Sequence, residues 1–218
     1  MKRILKELIK RTPVYPAWRI MERIIRQRRE LREWESCGRP APPPYIIKQR
    51  TLREFAQRFG VKVLIETGTL YGDMIEAMKS YFSQIYSIEL SNELYEKAKR
   101  RFAGDRRIQI IHGDSGIELG KLIATLDQPA LFWLDGHYSG GVTARGDKDT
   151  PIYEELTLIF NSQQKGHVVI IDDARCFGTD PAYPSIDELS KFIRANSPNI
   201  KIDVENDSIR IVPYSQIG

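Results

Sequence analysis

Two apolar runs in this chain each end in carboxylates. In "ALFWLDGHYSGG" the run closes on Asp135, with His137 and Tyr138 just beyond it, and in "HVVIIDDAR" it closes on Asp172 and Asp173, with Arg175 two residues further on. Carboxylate oxygens are hard donors suited to cations such as Mg²⁺, and a carboxylate or imidazole within hydrogen-bond reach can take up a proton. Runs of this length and apolarity have the character of buried strands, so the acids stand where strands give way to loops. Other strand-like runs share the pattern. Glu66-Thr67-Gly68 follows "VKVLI", Glu89-Leu90-Ser91 follows "QIYSI", and Asp114-Ser115 follows "IQIIHG".

The turn "ETGTLYGD" (66–73) places Gly68 and Gly72 where the backbone can approach a ligand, with Glu66, Thr67 and Asp73 as polar neighbours. It lacks the G-x-G-x-x-G pattern, and the chain contains no G-x-x-x-x-G-K-[ST] loop, so the glycine-rich cradles for pyrophosphate are absent from the sequence. Glu89 lies 21 residues after Gly68, a spacing at which an acid at the end of the next strand can take both hydroxyls of a ribose, with Leu90 beside it. The competing reading is a solvated or capping carboxylate. Asp114 and Ser115 are candidates for an adenine edge or, equally, for capping the helix that follows. Together these residues imply an adenosine-bearing ligand without a pyrophosphate cradle. S-adenosylmethionine fits, with its amino-acid end over the glycine turn near Glu66.

These residues need elements to hold them. From residue 61 the chain alternates strand and helix, with strands expected at 61–66, 84–89, 108–112, 130–135 and 167–172. Helices are expected at 72–82, 91–102 (capped by Ser91), 115–126, 150–160 (with Pro151 in the first turn) and 185–196. Two further strands, 200–205 and 208–213, meet at Asn206-Asp207, a tight-turn signal. Several strands are almost continuously apolar, as parallel strands covered on both faces are. The expected fold is α/β: a doubly wound, Rossmann-like sheet of seven strands with a C-terminal antiparallel hairpin, preceded by a helical extension. Ligands of such sheets bind beyond the carboxyl ends of the strands, where the acids lie. The domain organisation read here is a basic helical extension over 1–36, a Pro-rich linker over 37–50 ("CGRPAPPPY") and the main domain over 51–218. Thr51 is read as the N-cap of a short helix ending at Gly60.

The set "VLIETGTLYGD", "YSIELS", "IIHGDS", "LFWLDG" and "VVIIDD", in this order and followed by a strand hairpin, resembles a class I S-adenosylmethionine-dependent methyltransferase over about residues 61–212. Its pattern is most similar to metal-dependent sugar O-methyltransferases of the macrocin/TylF type, related in fold to catechol O-methyltransferases. The resemblance implies neighbouring fourth and fifth strands, so that Asp135, Asp172 and Asp173 converge on one Mg²⁺ that also receives an acceptor hydroxyl. Asp135 or His137 would take the proton, and Asp135 would also border the cofactor. The alternatives stay open: Asp173 capping the loop after it, Asp172 binding cofactor or a backbone amide, and His137 bonding within its own loop. A metal-free or N-methyl transfer, and a non-catalytic partner subunit of the same fold, are the rival functions.

The segment 136–151, "GHYSGGVTARGDKDTP", is longer than the usual connection of about 2–6 residues and suits a lid or substrate loop, with Tyr138, Arg145 and Lys148 as candidates to hold a sugar-like or acidic acceptor. This insert departs from the macrocin-type pattern, so no particular substrate carries over. Arg175 would bind an anion or neutralise the paired aspartates. The net charge of +4 is uneven: residues 1–36 hold 11 Lys/Arg against 5 Glu, leaving the rest slightly acidic and arguing against a nucleic-acid groove across the main domain. The extension's Trp18, Met21, Ile24, Ile25 stripe suits homodimerisation or packing over the site, and its arginines suit peripheral contact with an anionic membrane. No run reaches the roughly 20 apolar residues of a membrane span, no signal peptide is legible, and Cys37 and Cys176 lack metal-ligand spacing, so a cytoplasmic protein with reduced thiols is expected.

Overall fold

The pleat of a strand sends successive side chains to opposite faces, and in this chain both faces are apolar. A computed structural model describes residues 15–135 and 151–214. Its strands are β1 (Val63–Thr67), β2 (Gln84–Glu89), β3 (Ile108–His112), β4 (Ala130–Leu134), β5 (Val168–Ile171), β6 (Ile200–Glu205) and β7 (Ser208–Pro213). The helices are α1 (Tyr15–Ser36), α2 (Tyr45–Arg58), α3 (Asp73–Met78), α4 (Asn92–Phe102), α5 (Ser115–Ile123), α6 (Ile152–Phe160) and α7 (Ile186–Asn196), with a 3₁₀ turn over Ala174–Cys176. One seven-stranded sheet runs β3-β2-β1-β4-β5-β7-β6. The first five strands are parallel, and β7 joins antiparallel to both β5 and β6. The switch in strand order lies between β1 and β4.

Two cores follow from the alternation. Val63 and Ile65 of β1, Phe132 and Leu134 of β4 and Val169 and Ile171 of β5 pack under α5, α6 and α7, through Leu119, Leu156 and Ile193 among others. Leu64, Leu131, Trp133, Val168 and Ile170 face the other way. They meet Leu52 and Phe55 of α2, Ile75 and Met78 of α3 and Phe102 of α4. Ser91 caps α4 by accepting from the Leu94 N–H, and Ser185 and Glu188 form a reciprocal capping box on α7. The β6–β7 turn is built as its sequence predicts, with Asn206 and Asp207 both at positive φ (51° and 61°), as a type I′ turn requires.

The segment 37–50 differs from the linker expected there. Helix α2 begins at Tyr45, directly after Pro44, and Thr51 lies buried in its middle rather than at its start. The prolines end where the helix begins, and the opening turns of α2 occupy the second half of the supposed linker. Helix α3 also ends early, at Met78, although Phe82 beyond it stays buried. In α1, Trp34 is buried and donates from Nε1 to the Pro40 carbonyl at 2.7 Å, whereas Ile20, Met21 and Ile25 are exposed. Cys37 and Cys176 are free thiols. Among the described residues no helix is long and apolar enough to cross a membrane.

Gly72 caps α3 in the left-handed region (φ 76°), and a Cβ there would come within 2.5 Å of the Phe102 ring. The left-handed backbone and the packing against α4 both require a glycine here. Gly72→Ala should therefore destabilise the fold by about 2 kcal/mol or more, the sum of a left-handed penalty and overpacking, measured by urea unfolding.

Candidate functional site

Parity along the strands decides where the acids point. The Asp135 N–H donates to the Thr67 carbonyl at 3.1 Å and the Asp172 N–H to the Leu134 carbonyl at 3.0 Å, so the ladder and its alternation run one residue past β4 and β5. Glu66, Asp135 and Asp172 thus share parity with Leu64, Trp133 and Ile170, on the side of the sheet that α2 covers. Helix α2 meets them with its own stripe. Tyr45, Lys48, Leu52 and Phe55 lie at i, i+3, i+7 and i+10, so the last two enter the core while the first two overhang the carboxyl ends of the strands.

Asp135, Asp172 and Asp173 each present a potential ligand atom, all within 4.8 Å of one another. The sequence expectation that they converge holds. Lys48 lies among them: its Nζ makes a short contact with Asp172 Oδ2 and reaches Asp173 Oδ1 at 3.4 Å. Asp173 sits in the left-handed region (φ 55°) at the start of the 3₁₀ turn, and Arg175 Nη1 donates to it at 2.7 Å. Arg175 is fixed in turn by Asp207 of the hairpin turn, which pairs with its guanidinium and accepts its N–H at 2.8 Å. Arg175 thus pairs with two aspartates, as the neutralising alternative has it. Asp172 Oδ1 is buried and makes no hydrogen bond of good geometry among the described residues, although the Asp173 N–H lies close enough to ease the carboxyl's burial.

Burial raises the Asp172 carboxyl above its ordinary range, opposed by the Lys48 ammonium and reinforced by Asp173. Burial alone would lower Lys48, but Asp172, with Asp173 and Asp135 behind it, holds its ammonium above the usual value. Two tyrosines flank this group. The Tyr45 ring is 43% exposed, but its phenol is raised by partial burial and by Glu66, Asp135, Asp73 and Asp172. Tyr183, ring-to-ring with Phe177 at 5.1 Å, is raised by burial and by charges that include Asp173 and Asp135. Both therefore stay protonated beside the acids.

The glycine turn is organised by two glutamates. Gly68 takes a positive φ (87°) and donates to the Ile88 carbonyl at 2.9 Å. Glu89 accepts the Leu70 N–H at 2.8 Å on one oxygen and the Ser91 N–H at 2.9 Å on the other, tying the loops after β1 and β2 together. A carboxylate has about four acceptor positions, so two remain for a ligand. Glu66 is buried and accepts the Ser87 hydroxyl at 2.6 Å, which shares a 2.7 Å bond with Thr69. Burial pushes its carboxyl up to about 8, with Glu89 adding to the rise.

The other expected residues have partners of their own. Asp73 is on the surface, paired with Arg101 at 2.7 Å. Leu90 offers its carbonyl to His112 Nε2 at 3.2 Å. Asp114 caps α5 by accepting the Gly116 N–H at 2.8 Å, the capping alternative of the sequence reading. Thr67 has the opposite parity to Glu66 and lies in the other core, with Ser115, against Glu155 of α6. Burial brings Glu155 up to about 7, eased by the Ser115 and Thr67 hydroxyls, yet Thr67 Oγ1 and Glu155 Oε1 make no hydrogen bond of good geometry. His137, Tyr138, Arg145 and Lys148 lie outside the described residues. The sequence reading missed Lys48, Tyr45, Glu155 and Tyr183. Glu155 had a visible signal, because it shares the apolar stripe Ile152, Leu156, Ile159 of α6.

Glu66 carries a pH dependence of defined sign. Between 4.5, its ordinary value, and about 8, the folded state keeps a proton that the unfolded chain has lost. Its contribution is therefore full at low pH and is lost as pH rises toward 8. Glu66→Gln should reduce the fall in unfolding free energy between about pH 5 and pH 8 by about 2–4 kcal/mol, read from urea titrations at each pH. A fall as steep as in the wild type would assign the dependence elsewhere.

No protein family description matches the sequence. Nor does any curated protein. The fold does have solved counterparts. An O-methyltransferase from Bacillus cereus, solved with S-adenosylhomocysteine, aligns over 86% of this chain and 90% of its own, at 16% identity and a TM-score of 0.58. The O-methyltransferase TomG from Streptomyces achromogenes, involved in tomaymycin synthesis and solved with S-adenosylmethionine, aligns over 86% and 88%, at 15% identity and 0.56. A putative O-methyltransferase from Klebsiella pneumoniae aligns over 86% and 88%, at 19% identity and 0.51. The chain has the Rossmann-like fold of S-adenosylmethionine-dependent methyltransferases.

Proposed function

We propose that this chain transfers the methyl group of S-adenosylmethionine to a hydroxyl of a small polar, sugar-like acceptor, with Mg²⁺ held by Asp135, Asp172 and Asp173. One observation carries the cation reading. Asp172 Oδ1 is buried without a hydrogen bond of good geometry beside two further carboxylates, at the carboxyl edge of β4 and β5. An all-oxygen donor set of this charge suits a hard divalent ion. When bound, such an ion lowers the pKa of a hydroxyl that approaches it.

The chain's own residues supply the rest. Glu89, with two acceptor positions left, suits a ribose diol, and Glu66 at the end of β1 suits the amino-acid end of the cofactor. The Glu66 and Asp135 backbones flank the switch point between β1 and β4, so a methyl donor lying there comes within reach of an acceptor held at Asp172 and Asp173. Tyr45 and Tyr183 give the acceptor two aromatic walls with a phenol donor on each. Asp135, or His137 beyond it, takes the hydroxyl proton as oxygen attacks the methyl carbon and the carbon–sulfur bond breaks. Bringing the two reactants into line is worth about 7–11 kcal/mol, more than proton removal alone at about 10²–10⁴-fold.

Calorimetry with S-adenosylhomocysteine, in Mg²⁺ and then in EDTA, should show micromolar binding in both; no binding in either would end the methyltransferase reading. Asp172→Asn should keep that affinity within a few-fold. Methyl transfer from labelled S-adenosylmethionine to a panel of sugars and catechols should fall by about 10²-fold or more. Wild-type transfer unchanged in EDTA would favour a metal-independent reaction.

A further inference from the structure

Lys48 has no part in the proposed reaction, yet it pairs with two members of the acidic group. Its ammonium touches Asp172 Oδ2 and Asp173 Oδ1, two carboxylates of the triad whose potential ligand atoms lie within 4.8 Å of each other. The placement is enforced. Lys48 lies one turn before Leu52, which is fully buried in the core, so the helix cannot rotate the lysine away without pulling Leu52 and Phe55 from the sheet. Its side chain is only 15% exposed, and that of Asp172 only 2%. Two cations cannot share the same oxygens at contact distance. Three carboxylates with no cation are costly too, because buried like charges repel and are poorly solvated.

We infer that Lys48 is a tethered counter-ion that competes with the divalent cation for Asp172 and Asp173, holding the triad together when the ion is absent and setting its affinity when the ion binds. The inference rests on the cation reading above. On binding, the Lys48 side chain leaves Asp172 Oδ2 by changing rotamer while α2 stays docked. Lys48 thereby lowers the site's affinity for the ion, and the ion removes the need for Lys48 in holding the acids together. Each stabilises the acids, and each makes the other less necessary.

The test uses Mn²⁺ and Mg²⁺ alone, titrated calorimetrically into the full chain and into Lys48→Gln, with thermal unfolding of each in EDTA and in excess Mg²⁺. Lys48→Gln should bind the ion at least about tenfold more tightly, since a full positive charge at contact distance has gone. It should unfold at a lower temperature than wild type in EDTA, and Mg²⁺ should close most of that gap. Lys48→Arg, which keeps the charge, should gain no affinity. Equal or weaker binding by Lys48→Gln would overturn the competition while leaving the cation site standing. Absence of binding to either protein at about 10 mM, above the weakest ordinary carboxylate sites, would overturn both. If Lys48→Gln folds only in the presence of Mg²⁺, the counter-ion role is upheld, whereas failure to fold in either condition would reduce Lys48 to a structural residue.

Discussion

The register of the central strands forces like charges together, and much of the site is an answer to that constraint. β1, β4 and β5 run parallel and end nearly level, with Thr67 beside Leu134 and Leu134 beside Ile171. Each carries an acid at the same parity, so Glu66, Asp135 and Asp172 emerge on one face within a few residues of one another. Desolvating several carboxylates there would be prohibitive if all stayed charged and unpaired. The chain resolves each case differently. Glu66 keeps its proton, Glu89 takes two backbone N–H groups, and Asp172 and Asp173 are met by Lys48 and Arg175.

The two cations come from elements whose first duty is structural. Helix α2 is held by Leu52 and Phe55, and Phe55 also lies 5.4 Å from the buried Arg210 guanidinium. The same helical stripe, extended one turn toward the N-terminus, delivers Lys48 and Tyr45. The β6–β7 hairpin closes the sheet, and its turn residue Asp207 also anchors Arg175 against Asp173. Disturbing either element therefore alters charge at the acids as well as packing, which couples site electrostatics to fold stability.

What the sequence disclosed follows the same division. Strand positions, the acids at strand ends, the Ser91 cap and the Asn206-Asp207 turn depend on local pattern, and all are found where local pattern places them. The convergence of Asp135, Asp172 and Asp173 needed only the adjacency of two strands, which the fold class supplies. Lys48 and Tyr45 were hidden because the prolines at 42–44 gave the whole of 37–50 the character of a linker, although Pro44 marks a helix start. Tyr183 reaches the acids through a loop path that no periodicity encodes. Gly72 was visible as a glycine, but its reason, the Phe102 ring across the chain, depends on a contact made by folding.

Thr67 shows how far contiguous sequence can mislead about a site. "ETG" reads as one cofactor turn, yet the pleat divides it. Glu66 points under α2 and is bonded to Ser87 of β2, while Thr67 points into the opposite core, where it meets Ser115 and Glu155. Glu155 is an acid on the buried stripe of α6, held near neutrality by burial, and its Oε1 and the Thr67 hydroxyl are left without good partners. The carboxyl end of the sheet therefore has polar groups on both faces. The side under α2 carries charge matched by Lys48 and Arg175, whereas the side under α6 carries hydroxyls and one carboxyl near its point of half-ionisation. Two residues adjacent in the chain thus respond to different neighbours, and a substitution at one should be read against its own face rather than against the motif that contains both.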